Sequence, residues 1–379
     1  MIGRYLAQEE TVSELAREYG VSRKTVYKWI ERFEGHGVGG LEERSRAPHR
    51  QARALSPEME RRIVEWKARK PLWGAPKIHS RLQGMADCPA ESTVSNVLAR
   101  HGLSRRARRR VAATPSQSLL EAVERSNQVW CADFKGWFRT GNGQRCEPLT
   151  ISDAHSRYLL RCQATGGSTA TVGVMPLFVA TFREYGMPEV IRTDNGAPFA
   201  STGLGGLSRL SVWWIRLGIR PERIEPGQPQ QNGRHERMHR TLKEATARPP
   251  ARTLGLQQRA FDAFVQEYNQ ERPHEALGQK PPGSVYVPSA RDFPERLPAQ
   301  EGYPEEWHRR TVRPGGRIRW KGHEINVSRS LSGQEIGLKP VGEGLWAVYF
   351  ERLELGVLDE RRWRLCPARS LVWVANLTE

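Results

Sequence analysis

Three acidic residues sit where they could act together. Asp133 lies in Trp-Cys-Ala-Asp-Phe-Lys-Gly-Trp-Phe, a run that reads as a strand from Val129 to Phe138. A carboxylate among Trp130, Phe134 and Trp137 is costly to bury unless it is paired or metal-bound. Asp194 ends a short strand and is followed by Asn195-Gly196. That turn leaves the carboxylate at a strand's C-terminal edge, where open α/β sheets gather their ligands. Glu236 opens a helix after the turn-rich Pro-Gly-Gln-Pro-Gln-Gln-Asn-Gly. Singly, each fits a solvated or salt-bridged surface acid. Together, three carboxylates from separate elements can converge on two divalent cations, and hard Mg²⁺ or Mn²⁺ prefers such oxygen ligands. Two ions ~3.5–4 Å apart clamp the attacking and leaving oxygens of a phosphodiester during in-line displacement.

The charge of the chain suits such a substrate. Its 379 residues carry 59 Lys and Arg against 42 Asp and Glu, a net +17. A field of that sign favours polyanions, above all nucleic acid. The first 126 residues hold 24 Lys and Arg against 15 Asp and Glu, so much of the excess lies there. The longest apolar stretch, Val172 to Phe182, contains Gly173 and Pro176 and is far short of the ~20 residues a spanning helix needs. Five scattered cysteines without a C-x-x-C argue against a disulfide scaffold or a cysteine zinc site and fit a reducing cytosol.

The elements ahead of the acids read as DNA-binding helices. Thr11-Val12-Ser13-Glu14 fits a capping box, Gly20 breaks the helix it starts, and Ser22 caps a second helix from Arg23 to Phe33. Val26, Trp29, Ile30 and Phe33 form its apolar stripe. Arg23, Lys24, Thr25, Tyr27 and Lys28 point outward with the cations and hydroxyls that a recognition helix offers the major groove. A second helical unit starts at Ser56-Pro57, buries Ile63, Val64 and Trp66, and closes with a helix near Glu91–Arg100. That last helix exposes Ser92, Thr93, Ser95 and Asn96. Arg105, Arg106, Arg108, Arg109 and Arg110 form a basic run that can track phosphates.

From Asn127 the pattern changes. Three strands, the last two joined by a turn at Asp153–Ser156, precede alternating helix and strand, an α/β layer architecture. From Val312 to Leu377, short runs of β-formers between glycine turns suggest a small barrel with Trp320, Trp346, Trp363 and Trp373 in its core. The expected division is two helix-turn-helix domains over 1–50 and 51–110, a linker over 111–126, an α/β core over 127–290 and a β-barrel over 300–379.

At this point a resemblance is plain. Asp133 in W-x-x-D-F, Asp194 in T-D-N-G-x-x-F and Glu236 in N-G-x-x-E, followed by Leu242-Lys243, resemble the catalytic core of DDE transposases and retroviral integrases, a ribonuclease-H-like fold. Tyr268-Asn269, Arg272-Pro273-His274 and Leu277 are also similar to bacterial insertion-sequence transposases of this group. The resemblance covers nearly the whole chain. It implies a catalytic, metal-holding triad of Asp133, Asp194 and Glu236 with two Mg²⁺ or Mn²⁺ ions. The implied reaction cleaves DNA at the element's terminal inverted repeats and joins the 3′-hydroxyl to target DNA. The implied assembly is a homo-oligomer on double-stranded DNA in the cytoplasm, associated with the nucleoid. Lys135, Arg240 and Lys243 are the expected phosphate contacts beside the triad, with His239, Arg240 and Lys243 on the face of Glu236.

Asp194 and Glu236 are separated by 41 residues, more than is commonest in the family, and the excess is expected around Ser201–Ser208. Glu222 and Glu225 compete for the third position but lack the N-G-x-x-E context. His235-Glu236-Arg237-Met238-His239 also spells H-E-x-x-H, a zinc-hydrolase pattern. No third ligand follows it, and it ignores both aspartates. A nuclease or resolvase of the same fold, or an inactive DNA-binding repressor, is the alternative function.

Overall fold

A computed structural model describes residues 1–43, 55–104, 123–167, 171–201, 203–225, 233–300, 302–374 and 377. Arg105, Arg106, Arg108, Arg109 and Arg110 lie outside the described residues, as does most of the expected linker. The chain forms two units, Met1–Ser56 and Pro57–Glu379.

The first unit holds α1 (Ile2–Leu6), α2 (Val12–Glu18) and α3 (Arg23–His36). The capping box forms as its sequence requires. The Thr11 side chain accepts from the Glu14 N–H, and the Glu14 carboxylate accepts from the Thr11 N–H at 2.8 Å. Gly20 takes φ +62°, a left-handed conformation that suits glycine, and ends the α2 turn. Ser22 caps α3, whose Val26 and Ile30 bury against Ile2, Leu15 and Ala16. Helix α1 was not legible in the sequence; its first residue completes this small core.

In the second unit, α4 (Pro57–Arg69), α5 (Ala75–Leu82) and α6 (Glu91–Arg100) pack through Ile63, Ile78, Leu82, Val94 and Val97. Val64 and Trp66, expected inside, are half-buried, and Trp66 stacks on the buried Trp73 at 5.9 Å. The Trp73 indole donates to Glu267 at 3.1 Å, and Lys70 pairs with Glu271 at 2.7 Å, so these helices dock on the α/β layer that follows.

That layer is a sheet of β1 (Val129–Phe134), β3 (Arg145–Asp153), β4 (Leu159–Thr165), β5 (Val190–Thr193) and β6 (Arg220–Arg223) in the order β4-β3-β1-β5-β6. β1, β3 and β4 are antiparallel neighbours, while β5 and β6 run parallel to β1. The expected strand from Val129 to Phe138 is broken, because Gly136 takes φ +79° and Phe138–Arg139 forms a separate β2 paired with β3. One face of the sheet carries Trp130, Ala132, Leu149, Ile151 and Ile191 against α7 (Thr171–Tyr185) and α8 (Arg209–Arg216). The other face meets α9 (Gly233–Thr246) and α10 (Leu254–Gln270) through Cys146, Leu159, Cys162, Met238, Leu242 and Phe261. The alternation of side chains along each strand makes this two-faced arrangement.

The C-terminal region is β-rich but does not close into a barrel among the described residues. β7 (His308–Thr311), β10 (Glu335–Gly342), β11 (Leu345–Phe350), β12 (Leu353–Asp359) and β13 (Arg364–Trp373) form an open sheet in the order β13-β12-β11-β10-β7. β8 (Arg317–Trp320) and β9 (His323–Asn326) form a separate hairpin. The core of this region also takes in Leu207, Val212 and Ile215, so part of what barrel closure would bury is buried against α8. Trp320 is in that core and Trp346 and Trp373 pack against it, but Trp363 is not: it is 37% exposed and stacks on His323.

Candidate active site

The strand register brings the two aspartates side by side. Ala132 on β1 lies opposite Thr193 on the parallel β5, and Asp133 and Asp194 are the next residue of each. Cys131, Arg192 and Glu222 form the preceding row on the same face. Arg192 Nε binds the Glu222 carboxylate at 2.6 Å, which pairs the nearer competing acid below the aspartates. The Gly196 N–H donates to Asp194 at 3.1 Å, and the Asn195 amide donates to the Ile224 carbonyl at 2.8 Å, so the D-N-G turn is tied to the sheet edge.

Glu236 reaches this edge from α9, and a buried bracket holds the helix there. Thr150 is the β3 partner of Asp133 and donates its hydroxyl proton to the Asp133 carbonyl oxygen at 3.1 Å. The Thr150 hydroxyl oxygen also meets His235 Nε2 at 2.7 Å and His239 Nε2 at 2.6 Å. With the one hydroxyl proton already donated, both imidazoles must donate to Thr150. Ser152, two residues along β3, meets His235 Nδ1 at 3.0 Å. Burial keeps both rings neutral: His235 is pushed down to about 3, and His239 well below its ordinary value with help from His235 and Lys135. His239 therefore turns into the sheet, away from the exposed face of α9 that Glu236, Arg240 and Lys243 share.

Electrostatics draw the acids into one group. Burial raises the Asp133 carboxyl to about 7. The charges of Asp194 and Glu236 add to that rise, against the lowering effects of the Phe134 N–H and Lys135. The ligand atoms of Asp133, His235 and His239 all lie within 4.8 Å of one another. Three of the four imidazole nitrogens are nevertheless occupied by Thr150 and Ser152. The fourth, His239 Nδ1, faces Asp133 Oδ2 at 3.8 Å. The H-E-x-x-H spacing thus builds a hydrogen-bonded clamp instead of presenting two free nitrogens to zinc. Thr150 and Ser152 carried no sequence signal beyond their alternation on one strand.

Segments of the chain match five known domain families. Residues 123–229 and 217–282 match integrase core domains, 1–42 and 25–98 match homeodomain-like domains, and 308–364 match the C-terminal domain of IS481 family transposases. The chain thus carries integrase-core and homeodomain-like segments and is similar to the transposases of insertion elements. Relatives include an uncharacterized 31.7 kDa protein of insertion element IS407 from Burkholderia multivorans, 25% identical over 58% of this chain and 78% of the relative. An uncharacterized 39.2 kDa protein of IS476 from Xanthomonas euvesicatoria is 31% identical over 46% of this chain and 49% of the relative. Transposase InsD of IS2 from Escherichia coli is 29% identical over 42% of this chain and 54% of the relative. The match thus spans about half the length of the last two. Among solved structures, the catalytic core of HTLV-2 integrase in complex with magnesium aligns with TM-score 0.34 and 16% identity over 43% of this chain and 98% of that one.

The other residues of this integrase-core protein with an expected contact to DNA fall on several surfaces. Arg23, Lys24, Tyr27 and Lys28 are exposed on α3, whereas Thr25 is half-buried and its hydroxyl lies 2.9 Å from that of Ser22. On α6, Ser92, Ser95 and Asn96 are exposed and Thr93 is half-buried. Lys135 and Lys243 line one small cleft beside the acids, rimmed by Trp137.

Proposed function

We propose that this protein is an insertion-sequence transposase that binds terminal inverted repeats, cleaves DNA at the element ends and joins the 3′-hydroxyl to target DNA. The observation that carries the reading is the in-register pair Asp133 and Asp194, with Glu236 close enough for its charge to help hold Asp133 protonated up to about 7. That donor set fits a hard divalent cation: it is all oxygen, and its mutual repulsion is what such a charge relieves. Asp133, Asp194 and Glu236 would hold Mg²⁺ or Mn²⁺, two ions per site. When bound, the ions supply the positive charge that activates the attacking oxygen and steadies the leaving one.

The chain's own residues position the DNA. Lys135, Arg240 and Lys243 hold backbone phosphates beside the acids, and the Arg105–Arg110 run follows the duplex. The exposed residues of α3 and α6 read base edges. A homo-oligomer pairs two ends, working in the cytoplasm on nucleoid DNA. No helix among the described residues is long and apolar enough to cross a membrane.

The test incubates the full chain with labelled terminal-repeat duplex and Mg²⁺ beside Glu236→Gln, an exposed position whose change leaves the core intact. Joined products from the wild type, lost in the variant, are expected. Cutting without joining would mean a nuclease or resolvase. Specific binding with no cutting under any divalent metal would mean a repressor.

A further inference from the structure

The motif Tyr268-Asn269-x-x-Arg272-Pro273-His274 has no part in the acid site, and the structure gives it a place. The Asn269 amide binds both the N–H (2.8 Å) and the C=O (2.9 Å) of Leu159, fixing the end of α10 to β4. Beyond it, Arg272 and His274 turn into a cavity of about 590 Å³ between α5, α9 and the end of α10. Lys77 comes in from α5, Arg157 from the turn before β4, and Arg237 from α9. Among the described residues lining the cavity, Glu275 is the one acid facing these four cations.

The polar groups here are arranged for something not yet supplied. Lys77 donates to the Pro273 carbonyl, a neutral partner. No ion pair holds Arg272 among the described residues, although it is buried. His274 Nε2 is shut off from solvent and has no hydrogen-bond partner among them. Burial and the Arg272 charge bring Lys77 down to about 8, and burial with Lys77, Arg272 and Arg157 brings His274 down to about 3. Buried like charges of this kind are relieved by an anion. The guanidiniums of Arg237 and Arg272 offer planar forks that match a tetrahedral oxyanion, with the charge of Arg157 beside them while its own guanidinium donates to the Ala154 carbonyl. The volume also admits the sugars flanking a phosphodiester.

We propose that this cavity is a phosphate site, taking either a backbone phosphodiester of bound DNA or a free phosphate. Arg237 and Thr241 line it one and five residues beyond Glu236 on α9, so a strand held here passes the acidic edge. The DNA source rests on the reading of the protein as a transposase; the free-phosphate source does not.

The experiment uses the full chain, Arg237→Gln, the double variant Arg237→Gln/Arg272→Gln, and Glu275→Gln. Arg237 and Glu275 are exposed, so those single changes keep the protein folded if the double variant fails. Melting temperature is followed against inorganic phosphate at constant ionic strength, and duplex affinity against salt. Phosphate should raise the wild-type melting temperature, less in the Arg variants and more in Glu275→Gln. If a DNA phosphate occupies the cavity, the slope of log affinity against log salt becomes shallower by about 0.9 in the Arg variants. Loss of the phosphate response with an unchanged slope would support the site with free phosphate as its ligand. Identical phosphate responses and identical slopes in wild type and Arg237→Gln would overturn the proposal, whatever the strand-joining assay shows.

Discussion

At the scale of single residues, the acid edge is destabilising until something neutralises it. A carboxyl raised to about 7 holds its proton more tightly in the folded chain than in the unfolded one, where its value is ~4. Its contribution to stability is therefore full below the ordinary carboxylate range and is lost as pH rises through about 7. In metal-free buffer at pH 8, Asp133→Asn should raise the unfolding free energy by roughly 1–3 kcal/mol. Chemical denaturation at pH 5 and pH 8 checks this: the gain should shrink at the lower pH and with added Mg²⁺. The same substitution should abolish strand cleavage while leaving end binding intact, as should Asp194→Asn. Wild-type cutting by either variant would remove that residue from the site.

At the scale of elements, the position of α9 depends on one hydroxyl. Thr150→Val keeps the shape of the side chain but strands two buried imidazole N–H groups. The loss should be about 2–4 kcal/mol, read as a shift in denaturant midpoint, with Thr150→Ser close to wild type. A full-strength Thr150→Val protein would show that helix packing alone sets the place of Glu236. Most of these elements were legible. Caps at Thr11 and Ser22 and the apolar spacing of Val26 and Ile30 are local properties, and they gave α2 and α3 nearly to the residue. β7 lies ahead of the region from Val312 to Leu377 that reads as β, since His-Arg-Arg-Thr is an edge strand with no apolar signal, and Gly356 interrupts the pattern in the middle of β12. The break after Phe134 is set by Gly136 and was hidden inside one apolar run.

At the scale of the molecule, the longer spacing between Asp194 and Glu236 acquires a purpose. Leu207, at the end of that extra loop, and Val212 and Ile215 on α8 share one core with Val312, Ile336 and Phe350 of the C-terminal sheet. Arg216 on α8 also pairs with Glu351 at 3.1 Å. Leu207→Ala should cost about 2–4 kcal/mol and loosen the catalytic layer and the C-terminal sheet together. Hydrogen exchange would show protection lost in both; loss confined to one would mean they unfold independently. The net charge acts at this scale too. Affinity for any duplex should fall steeply with salt, and removal of residues 1–104 should erase preference for the element ends while leaving that salt-dependent binding. End-specific binding by the truncated protein would overturn the assignment of reading to α3 and α6.

The identities and order of Asp133, Asp194 and Glu236, the helical caps, and the alternation that gives the sheet two faces are all readable along the chain. These are encoded in neighbours a few residues apart. The fold settled which acids meet, because that depends on the parallel register of β1 with β5, a pairing across some sixty residues. It also decided that His235 and His239 clamp a threonine, that Glu222 is paired with Arg192, and that the C-terminal strands share a core with α8. Each of these is settled by which buried polar or apolar group finds a partner, and that partner lies far away along the chain.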